Sequence, residues 1–152
     1  MDLILWRHAD AADAAPGEPD FERALTGKGR TQAKRMAAWL NQRLPADAMV
    51  LVSPALRAQQ TAAALKRTFT TSEALGTGTD AQSLLAAVGR PRAEGTTLVV
   101  GHQPTLGQVA SLLLSGAEAE LSIKKGAVWW LTVHRGRKAL ATLKAVMTPD
   151  ML

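Results

Sequence analysis

Three short apolar runs, each followed by polar or small residues and then a helical pattern, most constrain the fold of this chain. The runs are Leu3 to Trp6, Met49 to Val52 and Leu98 to Val100. They are apolar throughout rather than at alternate positions, which is typical of strands buried on both faces of a parallel sheet. Strands of this kind alternating with helices predict an α/β fold with a mostly parallel sheet.

The helices between these runs have recognisable starts and buried sides. Thr26 is a suitable N-cap for a helix that runs to about Arg43, before Pro45, and its apolar stripe is Ala33, Met36, Ala37, Leu40 and Leu44. Ser53-Pro54 predicts an N-cap followed by proline at the first helical position, with Leu56, Ala63, Ala64 and Leu65 helping to bury that helix. Gln103-Pro104 repeats the arrangement before a helix that buries Leu106, Val109, Ala110 and Leu113.

The remaining segments complete a single domain over residues 1–152. Residues 70–80 have a loop-like composition, and Ala81 to Val88 predicts a short helix. The segment from Ala127 to Met147 predicts an antiparallel hairpin with its turn at Arg135-Gly136. The chain contains no internal repeat or domain-sized linker, and 152 residues suit one domain with a substantial core.

Cysteine content and the N-terminus limit the chemistry and the location. Without cysteine, the chain cannot form disulfides, a thiolate zinc site or a cysteine nucleophile. Met1-Asp2 places an acid where a signal peptide needs basic residues, and no apolar stretch approaches the ~20 residues that span a bilayer. We therefore expect a cytoplasmic protein that does not associate with membranes.

The net charge of +5 is compatible with anionic partners. The basic residues are dispersed, with no run longer than Lys124-Lys125, and the sequence has no zinc-finger spacing, no aromatic RNA-stacking motif and no tyrosine. These features disfavour nucleic acid as a partner and leave phosphorylated substrates.

Arginine or histidine side chains follow each of the three apolar runs. Arg7 and His8 come after the first run, Arg57 lies in the first turn after the second, and His102 follows the third. Ligands of open parallel sheets bind beyond the carboxyl ends of the strands, so these side chains should converge there. The third histidine, His134, lies beside the predicted hairpin turn and is expected to be a solvated surface residue.

Two arginines and two histidines at one edge suit a phosphoryl group. A guanidinium can donate to two phosphate oxygens at once and keeps its charge. A neutral imidazole nitrogen can attack phosphorus if the other ring nitrogen is held as a donor. This assigns His8 as nucleophile and Arg7 as clamp. Taken singly, each residue has a structural alternative, as a turn histidine, a surface arginine or a core histidine.

The motifs "LWRHADA", "RALTGKG", "SPALRAQQTA" and "VVGHQPT" resemble, in that order, those of the histidine phosphatase (phosphoglycerate-mutase-like) superfamily. The resemblance covers residues 3 to about 110 and implies a three-layer sandwich. It implies a phosphohistidine intermediate on His8, phosphate binding by Arg7 and Arg57, and a further phosphate contact from His102. It implies no metal and no organic cofactor.

Within the superfamily, the short chain and the "RHADA" opening are most similar to the small bacterial phosphohistidine phosphatases of the SixA type. That branch implies a phosphorylated protein of the histidine-phosphotransfer type as substrate. Asp20 and Arg23 match its Asp-x-x-Arg arrangement, which implies a supporting carboxylate and another phosphate contact. Both residues can equally be solvated loop charges.

A general acid is not evident from the sequence. The acid-phosphatase branch carries an aspartate directly after the second histidine, where this chain has Gln103. Phosphohistidine tolerates this difference, because the P–N bond is labile and the leaving imidazole takes a proton readily. The alternative is a phosphatase or mutase for a small phosphate ester, with Asp10 or Glu73 as the acid.

Two further alternatives remain open at this stage. A metallohydrolase could be built on His8, Asp10, Asp13 and His102, although the neighbouring arginines would repel a cation. A phosphate-sensing or nucleic-acid-binding module could use the arginines without turnover and would not need His8.

Overall fold

The computed structural model describes residues 1–89, 94–134 and 140–152. Its strands are β1 Asp2–Arg7, β2 Met49–Val52, β3 Thr70–Thr71, β4 Thr96–Gly101, β5 Val128–Val133 and β6 Ala141–Met147. Its α-helices are α1 Gly27–Asn41, α2 Leu56–Ala63, α3 Ala81–Ala87 and α4 Thr105–Ser115. Short 3₁₀ helices cover Asp20–Glu22, Glu73–Leu75 and Pro149–Met151.

The six strands form one mixed sheet in the order β3-β2-β4-β1-β5-β6. The pairs β1–β4, β2–β4 and β2–β3 are parallel, whereas β5 is antiparallel to both β1 and β6. The register places Arg7 opposite Gly101 and Val52 opposite Val100. The carboxyl ends of β1, β2 and β4 therefore meet at one edge.

Helices cover both faces of the sheet, and this explains the uninterrupted apolar runs. Leu3 and Leu5 of β1 belong to a core cluster with residues of α3 and α4, whereas Ile4 and Trp6 belong to a cluster with residues of α1 and α2. Successive strand residues point to opposite faces, so both sets must be apolar. The predicted three-layer α/β fold is confirmed.

The start and the buried face of α1 agree with the prediction. The Thr26 side chain accepts a hydrogen bond from the Gly29 N–H, and the predicted stripe from Ala33 to Leu40 is buried. The helix ends at Asn41, slightly before the predicted Arg43, and Leu44 is buried beyond it.

The predicted start of α2 is wrong. Ser53 is not the N-cap; the helix begins at Leu56 after Ala55, which makes no side-chain cap. The buried side also differs from the prediction, since Leu56 is 37% exposed and Ala63 is exposed, whereas Arg57 and Ala58 are buried. Leu65 is buried as predicted, and Ala64 is half-buried.

The start of α4 is also displaced. Its N-cap is Pro104 rather than Gln103, although the inward residues of the helix are those predicted. The segment 70–80 is not wholly loop, because Thr70–Thr71 pairs with β2 and Glu73–Leu75 is helical around the buried Leu75. The short helix predicted from Ala81 is confirmed as α3.

The two strands of the predicted C-terminal hairpin are confirmed, and its proposed turn at Arg135-Gly136 lies outside the described residues. His134 is half-buried rather than fully solvated, and its Nε2 lies 2.7 Å from Thr142 Oγ1. The neighbouring Val133 N–H donates to the carbonyl of Met1, so His134 lies at the opposite edge from Arg7. No helix in the described part of the chain is long and apolar enough to cross a membrane.

Candidate active site

His8 lies just beyond the end of β1 with a defined tautomer. Its Nδ1 is 2.8 Å from the carbonyl oxygen of Ala9. A carbonyl only accepts, so Nδ1 carries the proton and Nε2 presents a lone pair. The Nε–H of Arg57 donates to this Nε2 at 3.3 Å. The unprotonated nitrogen of His8 therefore faces a guanidinium.

The environment of His8 keeps its ring neutral. Burial lowers the pKa of His8 to about 4, and the charges of Arg57 and Arg7 act in the same direction, against the hydrogen bond to Ala9. At neutral pH the Nε2 lone pair is available without prior deprotonation. This is the state that a nucleophilic imidazole requires.

His102 follows β4 and lies beside His8, with 5.2 Å between the ring centroids. Its Nε2 is 2.7 Å from Ser53 Oγ. Its Nδ1 is buried and has no hydrogen-bond partner among the described residues. Burial lowers the pKa of His102 to about 3, with a further contribution from His8.

The two arginines approach His8 from different elements. Arg7 is anchored by Nη1, which donates to the carbonyl of Ile123 at 2.8 Å, while its buried Nε has no partner within the described part of the chain. Arg57 is 4% exposed. Burial and the charge of Arg57 lower the pKa of Arg7. Two guanidinium groups held close together in a buried site favour an anion between them.

Asp20 and Arg23 form an ionic bridge to the site. Asp20 Oδ1 accepts from Arg23 Nη1 and its Oδ2 accepts from Arg57 Nη2, both at 3.1 Å. Arg57 Nη1 also donates to the backbone carbonyl of Asp20 at 3.0 Å. The bonds to Arg23 and Arg57 lower the pKa of Asp20. Although its carboxylate is exposed, Asp20 is thus tied to Arg57 and is not merely a solvated loop charge.

Two further residues support the site, of which Thr61 was not predicted from the sequence. Thr61 Oγ1 accepts from the Ala9 N–H at 3.0 Å, which fixes the peptide unit that links His8 to Ala9. Gly29 packs against the loop after β1, where an added Cβ would lie 2.0 Å from the carbonyl oxygen of Asp10. The "LTGKG" spacing indicated Gly29, but no local pattern distinguished Thr61 from an ordinary helix residue.

The sequence and the fold of this chain are similar to those of known phosphatases. Residues 3–76 match the histidine phosphatase superfamily (branch 1). A putative phosphohistidine phosphatase SixA from Nakamurella multipartitia is 30% identical, with 97% of this chain and 95% of that chain covered and a TM-score of 0.81. The chain belongs to the histidine phosphatase superfamily.

Two other solved structures are similar in fold to this histidine phosphatase. The protein histidine phosphatase SixA complexed with tungstate is 28% identical, covers 99% of both chains and has a TM-score of 0.81. A putative alpha-ribazole-5'-P phosphatase from Escherichia coli is 19% identical over 98% of both chains, with a TM-score of 0.76, and shares the fold alone. Phosphatase activity is therefore supported at the level of the superfamily.

The acid candidates of this histidine phosphatase lie in unequal settings. Asp10 Oδ2 accepts from Thr26 Oγ1 at 2.7 Å and Oδ1 pairs with Lys125 at 3.4 Å, and these contacts lower the pKa of Asp10. Glu73 is exposed on the 3₁₀ helix that ends at Leu75. Asp13 is exposed in the loop after β1. The described residues include no group of three or more acids, histidines and cysteines placed to hold a metal ion.

We expect Asp10→Asn to retain kcat within about threefold of wild type at neutral pH. An ionised carboxylate cannot donate a proton, and the asparagine oxygen can still accept from Thr26. A positioned general acid contributes about 10²–10⁴-fold. Steady-state kinetics of Asp10→Asn and Glu73→Gln, measured side by side, show whether either carboxyl is the general acid. A hundredfold loss of kcat in Asp10→Asn alone would identify Asp10 as the acid.

The two buried histidines also make folding stability depend on pH. Their folded pKa values of about 4 and 3 lie below the ordinary value of 6.5, so the unfolded chain binds protons first as the pH falls. The contribution of the two histidines to stability is therefore fully present above about pH 6.5 and is lost as the pH falls through about 4 and about 3. We expect the free energy of unfolding to drop by roughly 3 kcal/mol or more between about pH 7.5 and 4.5.

Urea denaturation at the two pH values measures this drop, and a His8→Gln, His102→Gln double variant is the control for titrating carboxylates. The variant should lose most of the pH dependence. An equal drop in both proteins would contradict the assignment.

Proposed function

We propose that this protein is a metal-independent phosphatase that forms a phosphohistidine intermediate on His8 and dephosphorylates phosphohistidine on signalling proteins. One observation carries the proposal: the unprotonated Nε2 of a neutral, buried His8 lies beside Arg57, in a site that also contains Arg7 and His102. The tungstate complex of the related SixA supports it, because tungstate is a tetrahedral oxyanion like phosphate.

In the first step, His8 Nε2 attacks phosphorus and the P–N bond to the substrate imidazole breaks. The leaving nitrogen takes a proton from solvent water, and the phosphoryl group is now bonded to His8. Arg57 moves its Nε–H from His8 Nε2 to a phosphoryl oxygen. The hydrogen bond that it gives up is 3.3 Å long and therefore weak, so its loss costs little free energy. Arg7 and the Nδ1 side of His102 supply further donors for the equatorial oxygens, where charge stabilisation is most effective.

In the second step, water attacks the phosphoryl group and the bond to His8 Nε2 breaks. The water gives up one proton, inorganic phosphate leaves, and His8 regains its lone pair. The hydrogen bond from Nδ1 to the Ala9 carbonyl, 2.8 Å long, keeps the same ring nitrogen at phosphorus in both steps.

The proposed substrate class follows from the surroundings of the site. Gln103, which stands where a related branch carries an acid, uses both ends of its amide structurally: Oε1 accepts from the Gly107 N–H and Nε2 donates to the Leu121 carbonyl, each at 2.7 Å. Because an amide does not act as a general acid, a leaving group that takes a proton readily, such as imidazole, suits this site. An open groove of about 440 Å³ beside Arg7, lined by Lys28, Lys124 and Lys125, gives a protein-borne phosphohistidine room to approach.

The test compares substrates in the presence of a metal chelator. We expect kcat/KM for a phosphohistidine-bearing phosphotransfer domain to exceed that for p-nitrophenyl phosphate, phosphoserine and 3-phosphoglycerate by at least about a hundredfold. Comparable turnover of an ester, lost in Glu73→Gln, would favour the small-metabolite alternative. Phosphate binding without turnover, unchanged in His8→Ala, would favour a phosphate-sensing module.

A further inference from the structure

Ser53 forms a buried hydrogen bond with the second histidine of the site. It follows β2 directly, is fully buried, and its Oγ lies 2.7 Å from His102 Nε2. The same oxygen accepts from the Ala55 N–H at 3.2 Å. This hydroxyl therefore has two neighbours, of which one is a backbone donor and the other is an imidazole nitrogen able to donate or accept.

The direction of the hydrogen bond between Ser53 and His102 follows from the number of protons and lone pairs on the hydroxyl. A serine hydroxyl has one proton and two lone pairs, and Ala55 occupies a lone pair. The only acceptor for the hydroxyl proton within the described part of the chain is His102 Nε2. If Nε2 carried a proton instead, the buried O–H would have no acceptor, which proteins rarely tolerate. Ser53 is therefore the donor.

A neutral imidazole that accepts at Nε2 carries its proton at Nδ1. In His102 this nitrogen is buried and without a partner among the described residues, in a ring 5.2 Å from that of His8. An N–H in that place can donate to a phosphoryl oxygen, whereas a lone pair would repel it.

We propose that Ser53 is a positioning residue that holds His102 in the Nδ1–H form, so that His102 donates to the phosphoryl group transferred to His8. The inference rests on the proposed function. It adds a condition beyond the presence of the two arginines and two histidines of the site. A correctly placed His102 could still present an unprotonated Nδ1 to the phosphoryl group. Because His102 is neutral at the working pH, its tautomer decides whether it donates or repels.

The first test is the ¹⁵N NMR signature of His102 in the wild-type protein at neutral pH. We expect a protonated Nδ1 and an unprotonated Nε2, and a mixture or the reverse form in Ser53→Ala. A wild-type ring protonated at Nε2 would overturn the proposal, and this outcome does not depend on whether any variant folds.

The second test compares Ser53→Ala with the conservative variant Ser53→Thr. We expect Ser53→Ala to lower kcat/KM for a phosphohistidine substrate, and to weaken binding of inorganic phosphate, by about 10–100-fold, the effect that is usual for residues that orient metal-binding histidines. Ser53→Thr keeps the hydroxyl and should return both to within about threefold of wild type. Unchanged turnover and phosphate affinity in Ser53→Ala would overturn the proposal.

Ser111→Ala is the matched control, because Ser111 is also buried and bonded, to the Ala117 carbonyl and the Ala119 N–H, but it lies within α4 away from the histidines. It should change neither turnover nor phosphate binding. If wild type released no phosphate from any substrate, the proposed function would fail, while the His102 tautomer and the phosphate titrations would still decide the role of Ser53.

Discussion

His8→Asn is expected to abolish phosphate release, with a loss of at least about 10³-fold in kcat. Asparagine is polar and close in size, and its amide can still donate toward the Ala9 carbonyl, so the loop after β1 should keep its shape. What disappears is the Nε2 lone pair beside Arg57. The loss should be the same for every substrate, because it removes the group that forms the covalent bond.

His134→Asn is the matched control for this variant. His134 is half-buried at the opposite edge of the sheet, so its replacement should leave turnover unchanged. Thermal melts of both variants check folding. A folded His8→Asn protein that retained more than a tenth of wild-type kcat would exclude His8 as the nucleophile.

Arg57→Ala is expected to lower kcat/KM by about 10²–10³-fold, the usual effect of removing one donor that stabilises charge in the transition state. Arg57 is 4% exposed and carries the donor nearest His8 Nε2. Its removal also releases Asp20, leaving that carboxylate with Arg23 alone. Arg57→Lys should recover only part of the loss, since an ammonium cannot donate in the planar fork of a guanidinium.

The exposed Arg35 of α1 supplies the control for net charge. Arg35→Ala removes one positive charge and should change kcat/KM by less than about twofold, since exposed charges are screened by salt. Binding of inorganic phosphate to Arg57→Ala should weaken in parallel with turnover. A fall in turnover with unchanged phosphate affinity would show that Arg57 acts on His8 and not on the anion.

The sheet and the location of the site were predictable because they depend on strong local signals. Apart from Met49, which is 46% exposed at the start of β2, the apolar runs that begin at Leu3, Met49 and Leu98 are buried on both faces, and the carboxyl ends of neighbouring parallel strands have to meet. The residues that follow those runs therefore had to converge. The convergence of Arg7, His8 and His102 was therefore predictable without any knowledge of their contacts.

Features that depend on distant partners were not predictable. A serine N-cap stabilises a helix by about 1 kcal/mol, and this local preference predicted Ser53 as the cap. In the structure the Ser53 hydroxyl instead forms a hydrogen bond with His102, 49 residues away. The pairing of Thr70 and Thr71 with β2 has no apolar signature, because both side chains are exposed. The bridge from Asp20 to Arg57 spans 37 positions in the sequence.

The settings of the general-acid candidates were also only partly predictable from the sequence. Sequence proximity made Asp10 a candidate, but only the structure places its carboxylate between Thr26 and Lys125, where it stays ionised. The missing aspartate at Gln103 was visible from the sequence. The two hydrogen bonds that fix the Gln103 amide were not.

A covalent phosphoryl group on His8 can be detected in a single-turnover reaction of wild-type protein with a ³²P-phosphohistidine phosphotransfer domain, in chelator, quenched in alkali within milliseconds to seconds. Phosphohistidine survives alkali and is lost in acid. We expect a transient, acid-labile label on this protein, located by mass spectrometry at His8 and absent from His8→Asn. Release of phosphate by wild type with no label at any time, or with a label on another residue, would contradict this expectation.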